Sequence, residues 1–301
     1  MVRGRLPELA LPYCVDIVRR QVLFTNHDAA GFACVRGAAF MFGEQLATAV
    51  GVHGVSFEQL GAFAAGGMAP PLLVFSPGRT GSTLLVRVLS ACGLSCASEP
   101  DVLTQLGQIP EAQIVACGDG LREMLARAVI GRLVDVLGGG VCIKLRSQAN
   151  ERPLVLAGGA AGGRVVFMLR RARDWAESRH RSFAEPPGAV AAVLRQAVDA
   201  LDKLQFAGLD FAVLWFETLV ADPRAAVAAC APGLRFDGDA VRAALSRDSQ
   251  EGTMVSRSAL AGFRGDSGFD TAFEAAWQVA RAGAEWQPAT EKLLAEMFAP
   301  N

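Results

Sequence analysis

The sequence has no charge excess: 29 Lys and Arg face 30 Asp and Glu, a formal net charge of -1. Nothing in that balance argues for nucleic acid as a partner, and no acidic tail is present. No Cys-x-x-Cys pair occurs. The 7 cysteines are scattered and odd in number, and several (Cys34, Cys142, Cys230) sit in apolar runs. That suits reduced, buried thiols and a cytoplasmic setting rather than a disulfide frame. Cys92 and Cys96 lie close together, but no further ligands stand nearby, so no zinc site is expected. The charged start MVRGRLPELALPYC leads into no uninterrupted apolar stretch and no convincing cleavage site. The longest uncharged run, Leu60–Gly78, is broken by Gly66-Gly67, Pro70-Pro71 and Ser76-Pro77-Gly78. It reads as helix end, linker and buried strand, not as a transmembrane segment. Histidine is scarce, and His27 and His53 read as structural. Internal repeats are absent.

What is present is bulk apolar sequence. The 301 residues are 51% hydrophobic, with a mean hydropathy of +0.29, enough for one large α/β domain or one domain plus an extension. Short apolar runs without alternation recur at Leu72–Phe75, Val141–Ile143, Val165–Leu169 and Phe211–Phe216, with a shorter strand before Glu99. Helical patterns separate them, among them Glu111–Val136 and Val190–Phe206. Unalternating strands between helices mean a parallel sheet covered on both faces, a three-layer α/β fold. Ligands of such sheets sit beyond the carboxyl ends of the strands. Arg79, Glu99, Lys144, Arg170 and Glu217 all fall at predicted strand ends, which argues for one site. Residues 1–69 read as a mainly helical N-terminal extension of unknown role, with Val15–Phe24 open between helix and strand. Ser56-Phe57-Glu58-Gln59 fits a capping box that opens a short helix. The α/β domain then runs over 70–301.

The stretch around which the rest is arranged is PLLVFSPGRTGST, Pro71–Thr83. A strand, a tight Gly-containing turn and a helix start make a phosphate cradle. Backbone N–H groups and the helix dipole face the anion. Gly78 and Gly81 let the backbone approach it, and Thr80, Ser82 and Thr83 add hydroxyl donors. Ser82 stands where a Walker A loop has its lysine, and the cation is Arg79 instead. A second anion signal is the run LRRARDWAES, Leu169–Ser178, which puts arginines at a helix start, where cations oppose the dipole. A guanidinium fork at Arg170 and the hydroxyl of Ser178 suit a second phosphate.

On these two anchors the chain resembles sulfotransferases that use 3′-phosphoadenosine 5′-phosphosulfate, a P-loop NTPase-like fold. Arg79-Thr80-Gly81-Ser82-Thr83-Leu84-Leu85 is similar to their 5′-phosphosulfate loop, with Gly78 where the family usually has Pro. Arg170, Arg173, Asp174 and Ser178 match their 3′-phosphate segment, with Arg171 and Ala172 replacing Asp and Pro. Phe216-Glu217-Thr218-Leu219-Val220-Ala221-Asp222-Pro223 looks like a third, mostly structural segment of bacterial and Golgi-type members. The resemblance covers roughly 72–223. It implies sulfuryl transfer to a hydroxyl or amine of a small-molecule or glycan acceptor, with no metal required. It also implies donor contacts from Gly78, Arg79, Thr80, Gly81, Ser82, Thr83, Arg170 and Ser178. A late polar loop, Asp248–Arg257, resembles the one that closes over the donor and makes Arg257 a further 3′-phosphate contact, ahead of Ser256 and Arg264. Cytosolic members take their base from a His two residues after a strand-end Lys. Lys144 matches that Lys, but Arg146 stands at the His position and cannot be a base. Other branches use a Glu at the end of the second strand, which makes Glu99 the expected base, with His180 in reserve and Lys144 a candidate for leaving-group stabilisation. Two other readings stay open: a small-molecule kinase, weakened by Ser82 and by the lack of a clear strand-end Asp for magnesium, and a catalytically silent nucleotide-binding protein on the same fold. Acceptor identity and oligomeric state are not legible.

Overall fold

The computed structural model describes residues 6–63, 70–115, 120–248 and 268–299. The unalternating apolar runs are the strands of the main sheet. β1 (Leu11–Asp16), β2 (Gln21–Asn26) and β3 (Gly51–Ser56) precede them in the chain. Then come β4 (Leu72–Phe75), β5 (Ser95–Ser98), β6 (Val141–Lys144), β7 (Arg164–Leu169) and β8 (Phe211–Trp215). β4 to β8 form a parallel five-stranded sheet in the order β5-β6-β4-β7-β8, with helices around it. All four residues of β4 and of β6 are buried, as the absence of polar alternation requires. The strand order reverses about β4, so the loop that leaves its carboxyl end stands at the switch point of the sheet.

Packing divides the chain into two compact units: Met1–Leu73 with Leu94–Arg164, and Val74–Gly93 with Val165–Asn301. The first contains β1, β2 and β3 as a separate antiparallel sheet in that order. Val15–Phe24, open between helix and strand in the sequence, is the β1–β2 hairpin, with Val15 opposite Val22. Helices run over Ala29–Gly37, Met41–Ala47 and Phe57–Phe63, the last opened by the expected capping box, and the sheet is an addition to the mainly helical expectation. β3, GVHGVS, carries two glycines and only one buried residue, Val55, which leaves no apolar period to read. The capping box is present in both directions: Gln59 N donates to Ser56 Oγ (3.3 Å), and Ser56 N donates to Gln59 Oε1 (3.2 Å).

The second unit carries the larger aromatic core. Trp175, Trp277, Phe75, Phe167 and Phe273 are fully buried. The helices Ala172–Phe183 and Pro187–Phe206 follow β7, and Phe216–Ala221 follows β8 directly. None of the described helices is long and apolar enough to cross a membrane.

Candidate functional site

The loop after β4 is wound mostly in the left-handed region. Gly78 has φ 75°, Arg79 56° and Gly81 82°. Gly81 is the N-cap of the helix Ser82–Ala91, and no side chain caps that helix start. A helix start without a side-chain cap beside a curled loop is the local chemistry of an anion-binding concavity. Arg79 is strained, because a side chain in the left-handed region costs about 1–2 kcal/mol. One loop amide is already engaged, since Gly78 N donates to Ser76 Oγ (3.2 Å). Thr80, Ser82 and Thr83 are buried, and the Thr80 hydroxyl has no hydrogen-bond partner among the described residues.

The cations beside this loop are short of partners. Among the described residues neither Arg79 nor Arg170 has a salt-bridge partner, and Nε of each is buried without a hydrogen bond. The pKa of Arg79 is lowered, first by burial and then by the nearby positive charges of Arg170, Arg179 and Arg181, with Asp248 pulling the other way. That of Arg170 is lowered by burial too, while Asp174 and Glu217 oppose the shift. Both guanidiniums remain protonated. Both side chains are half-buried, and cations whose Nε atoms are shut off from solvent without a partner call for negative charge from elsewhere. The neighbouring arginines behave differently. Arg171 donates to the carbonyl of Glu296 (2.6 Å), and Arg173 meets Glu274 (2.6 Å). Of the arginines at this helix start, it is Arg170 that makes no salt bridge among the described residues, although Asp174 and Glu217 act on its charge. Ser178 is half-buried on the helix Ala172–Phe183.

Three residues that sequence reasoning passed over hold this cradle together within the second unit. Trp175 Nε1 donates to the carbonyl of Gly78 (2.7 Å), and Arg179 Nη1 donates to that of Pro77 (3.2 Å). The two are four apart, on one face of the helix, so the helix that carries Ser178 grips the loop that carries Arg79. Glu185 holds Arg179 in a two-pronged pair (2.5 and 2.8 Å). Phe216 is the third. Its ring lies 4.7 Å from the Arg170 guanidinium. The i, i+4 pair Trp175 and Arg179, which straddles the end of the matched segment at Ser178, was the available signal for the first two.

In the first unit, Glu99 has φ 59°, a conformation rare for a side chain of its size. Its N–H donates to the carbonyl of Lys144 (2.8 Å). Its carboxylate meets Lys144 Nζ at 2.5 Å and Arg146 Nε at 3.5 Å, and Arg146 also pairs with Asp101 (2.8 Å). Phe40 faces Lys144 (5.6 Å) and Phe42 faces Arg146 (5.0 Å). Glu99 and Lys144, read separately from the sequence, are therefore one ion pair. His180 stacks on Phe269 and its Nδ1 lies 2.8 Å from the carbonyl of Glu185. Arg257, with Ser256 and Arg264, lies outside the described residues. No group of His, Cys, Asp and Glu among the described residues could hold a metal ion.

No family model matches the sequence, and no curated protein matches it. Solved structures do resemble the fold. The sulfotransferase domain from the Synechococcus PCC 7002 olefin synthase is 18% identical, with a TM-score of 0.45, over 79% of this chain and 97% of that domain. The sulfotransferase domain from the curacin biosynthetic pathway is 13% identical, with a TM-score of 0.42, over 78% of this chain and all of that domain.

Proposed function

We propose that the protein is a sulfotransferase whose second unit binds 3′-phosphoadenosine 5′-phosphosulfate. The observation that carries this reading is the pair Arg79 and Arg170, half-buried, each with its Nε buried and unbonded, and without a salt-bridge partner among the described residues, with the charge of Arg170 acting on Arg79. A donor with anionic groups at both ends supplies the missing charge. The loop amides and Arg79 would take the 5′-phosphosulfate, with Thr80, Ser82 and Thr83 as hydroxyl donors. Arg170 and Ser178 would take the 3′-phosphate, and Arg257 is retained as a further contact.

In the reaction an acceptor oxygen or nitrogen attacks sulfur in line. The bond from sulfur to the bridging oxygen breaks, and its electron pair leaves on the phosphate of 3′,5′-adenosine bisphosphate. Arg79 and the helix-start amides stabilise that developing charge. The acceptor proton needs a base. Glu99 is the residue proposed for it, because its strained backbone and its anchored carboxylate hold a proton acceptor in one orientation. Each carboxylate oxygen has two acceptor sites, so pairing with Lys144 and Arg146 leaves room for a further hydrogen bond. Lys144 is proposed as the residue that orients Glu99. Its earlier candidacy for leaving-group stabilisation is the weaker use of a cation already paired at 2.5 Å.

The test is calorimetric titration with 3′,5′-adenosine bisphosphate, with Mg-ATP as the comparison. The expected result is binding of the bisphosphate without magnesium, weakened about 100-fold in Arg170→Ala by loss of a bidentate charge-assisted contact. Binding of Mg-ATP alone would overturn the proposal in favour of the kinase reading. Binding of neither would favour a silent scaffold.

A further inference from the structure

Phe216 touches both halves of the cradle. One face lies 4.7 Å from the Arg170 guanidinium, in the range of a cation–π contact. Its edge lies against the loop at Gly81, where an added Cβ would come within 2.4 Å of Phe216 Cδ2 and 2.8 Å of Cε2. Glycine is required there twice, by its φ of 82° and by this ring. The next residue, Glu217, accepts from the N–H of Arg171 through Oε1 (3.1 Å), at the start of the helix that carries Ser178. Meanwhile Arg170 Nε has no hydrogen-bond partner. Asp174 and Glu217 act on its charge without forming a salt bridge to it, so among the described residues the direct contact on this guanidinium is aromatic. An ionic partner would compete with an incoming phosphate. A ring face orients the planar fork and leaves its N–H groups available.

We propose that Phe216 is the positioning residue for the 3′-phosphate, holding the Arg170 fork in place and tying it to the 5′ loop through Gly81. This gives the β8 end a role in donor selection, where the sequence suggested only a link between strand and helix. It rests on the reading of the cradle as a site for a nucleotide with a 3′-phosphate.

The readout is a ratio: the affinity for 3′,5′-adenosine bisphosphate divided by that for 5′-AMP, both by calorimetry. The ratio isolates the 3′-phosphate from general effects on the loop. Phe216→Leu is expected to lower it about 10-fold, the size of a partly desolvated cation–π contact. Phe216→Tyr, which keeps the ring, is expected to keep the wild-type ratio, and it guards against a Leu variant that folds poorly. In an Arg170→Ala background Phe216→Leu is expected to change the ratio no further, because the ring acts through that arginine. An unchanged ratio in Phe216→Leu, or equal loss of both affinities, would make Phe216 a packing residue only and overturn the inference while leaving the donor site intact. A wild-type protein that binds the two nucleotides equally would overturn the donor reading itself, and this inference with it.

Discussion

Two clusters of cations stand at strand ends, and they are built in opposite ways. In the second unit, Arg79 and Arg170 are half-buried, close enough for the charge of one to act on the other, and lack salt-bridge partners among the described residues. In the first, Lys144 and Arg146 share Glu99, and Arg146 also holds Asp101. The first arrangement is poor protein chemistry unless something else brings negative charge. The second neutralises itself. A cluster that is incomplete without a ligand is organised for binding, and a cluster that is complete is organised to fix the orientation of its members. Both contain a strained residue at a strand end, Arg79 with φ 56° and Glu99 with φ 59°. Strain of about 1–3 kcal/mol at such a place points to function.

The largest expected effect separates the two jobs. Glu99→Gln keeps the shape of the side chain and removes its ability to take a proton. Turnover is expected to fall about 1,000-fold, within the range for loss of a general base, while affinity for 3′,5′-adenosine bisphosphate stays at the wild-type value. Full activity in this variant would remove Glu99 from the mechanism. A parallel loss of nucleotide affinity would blur the distinction between the clusters.

A matched pair of substitutions tests the comparison directly. Arg79→Met removes one of two cations that act on each other and keeps the strained left-handed backbone, because Met has the same Cβ. The unliganded protein is expected to melt at or above the wild-type temperature, while bisphosphate affinity falls about 100-fold. Lys144→Met removes one member of a closed set. Lys144 is 3% exposed and Glu99 14%, so the carboxylate would lose its closest partner and keep only Arg146. A stability loss of about 2 kcal/mol is expected, below the ~3–5 kcal/mol of a fully orphaned buried charge. Thermal melts without ligand decide the matter. If Arg79→Met melts lower and Lys144→Met does not, the assignment of unpaired and paired clusters is reversed.

Much of this was legible in the chain. Leu72–Phe75 and Val165–Leu169 have no polar alternation, and only a buried parallel strand tolerates that. The curl of the loop was visible in Gly78 and Gly81, and the concentration of cations in arginines set against a helix dipole. Two kinds of information were not visible. β3 has two valines but also two glycines and no apolar period, so its place in the antiparallel sheet comes from its pairing with β2 rather than from its own pattern. The partners of each charge were hidden as well. Arg170, Arg171 and Arg173 are alike as letters, and only the fold gives Arg171 the Glu296 carbonyl and Arg173 the Glu274 carboxylate. The same holds for Phe216, whose contacts lie at residues distant in sequence.

The smallest effect concerns the scaffold of the unpaired cluster. Trp175 is fully buried, and its single polar atom donates to the carbonyl of Gly78 at 2.7 Å. Trp175→Phe keeps most of the buried ring and removes that donor, which leaves the carbonyl to find another partner. The expected cost is about 1 kcal/mol, the net worth of one neutral hydrogen bond. If the bond only adds stability, the melting temperature falls and nucleotide affinity does not change. If it also holds the left-handed turn at Gly78 and Arg79 in its anion-binding shape, 5′-AMP affinity falls by a similar factor, about five-fold. The second outcome is expected, because Gly78 immediately precedes the strained arginine and nothing else described binds its carbonyl. Calorimetry with 5′-AMP, alongside the melt, separates the two. Unchanged 5′-AMP affinity would mean that the loop keeps its curl without the helix that grips it.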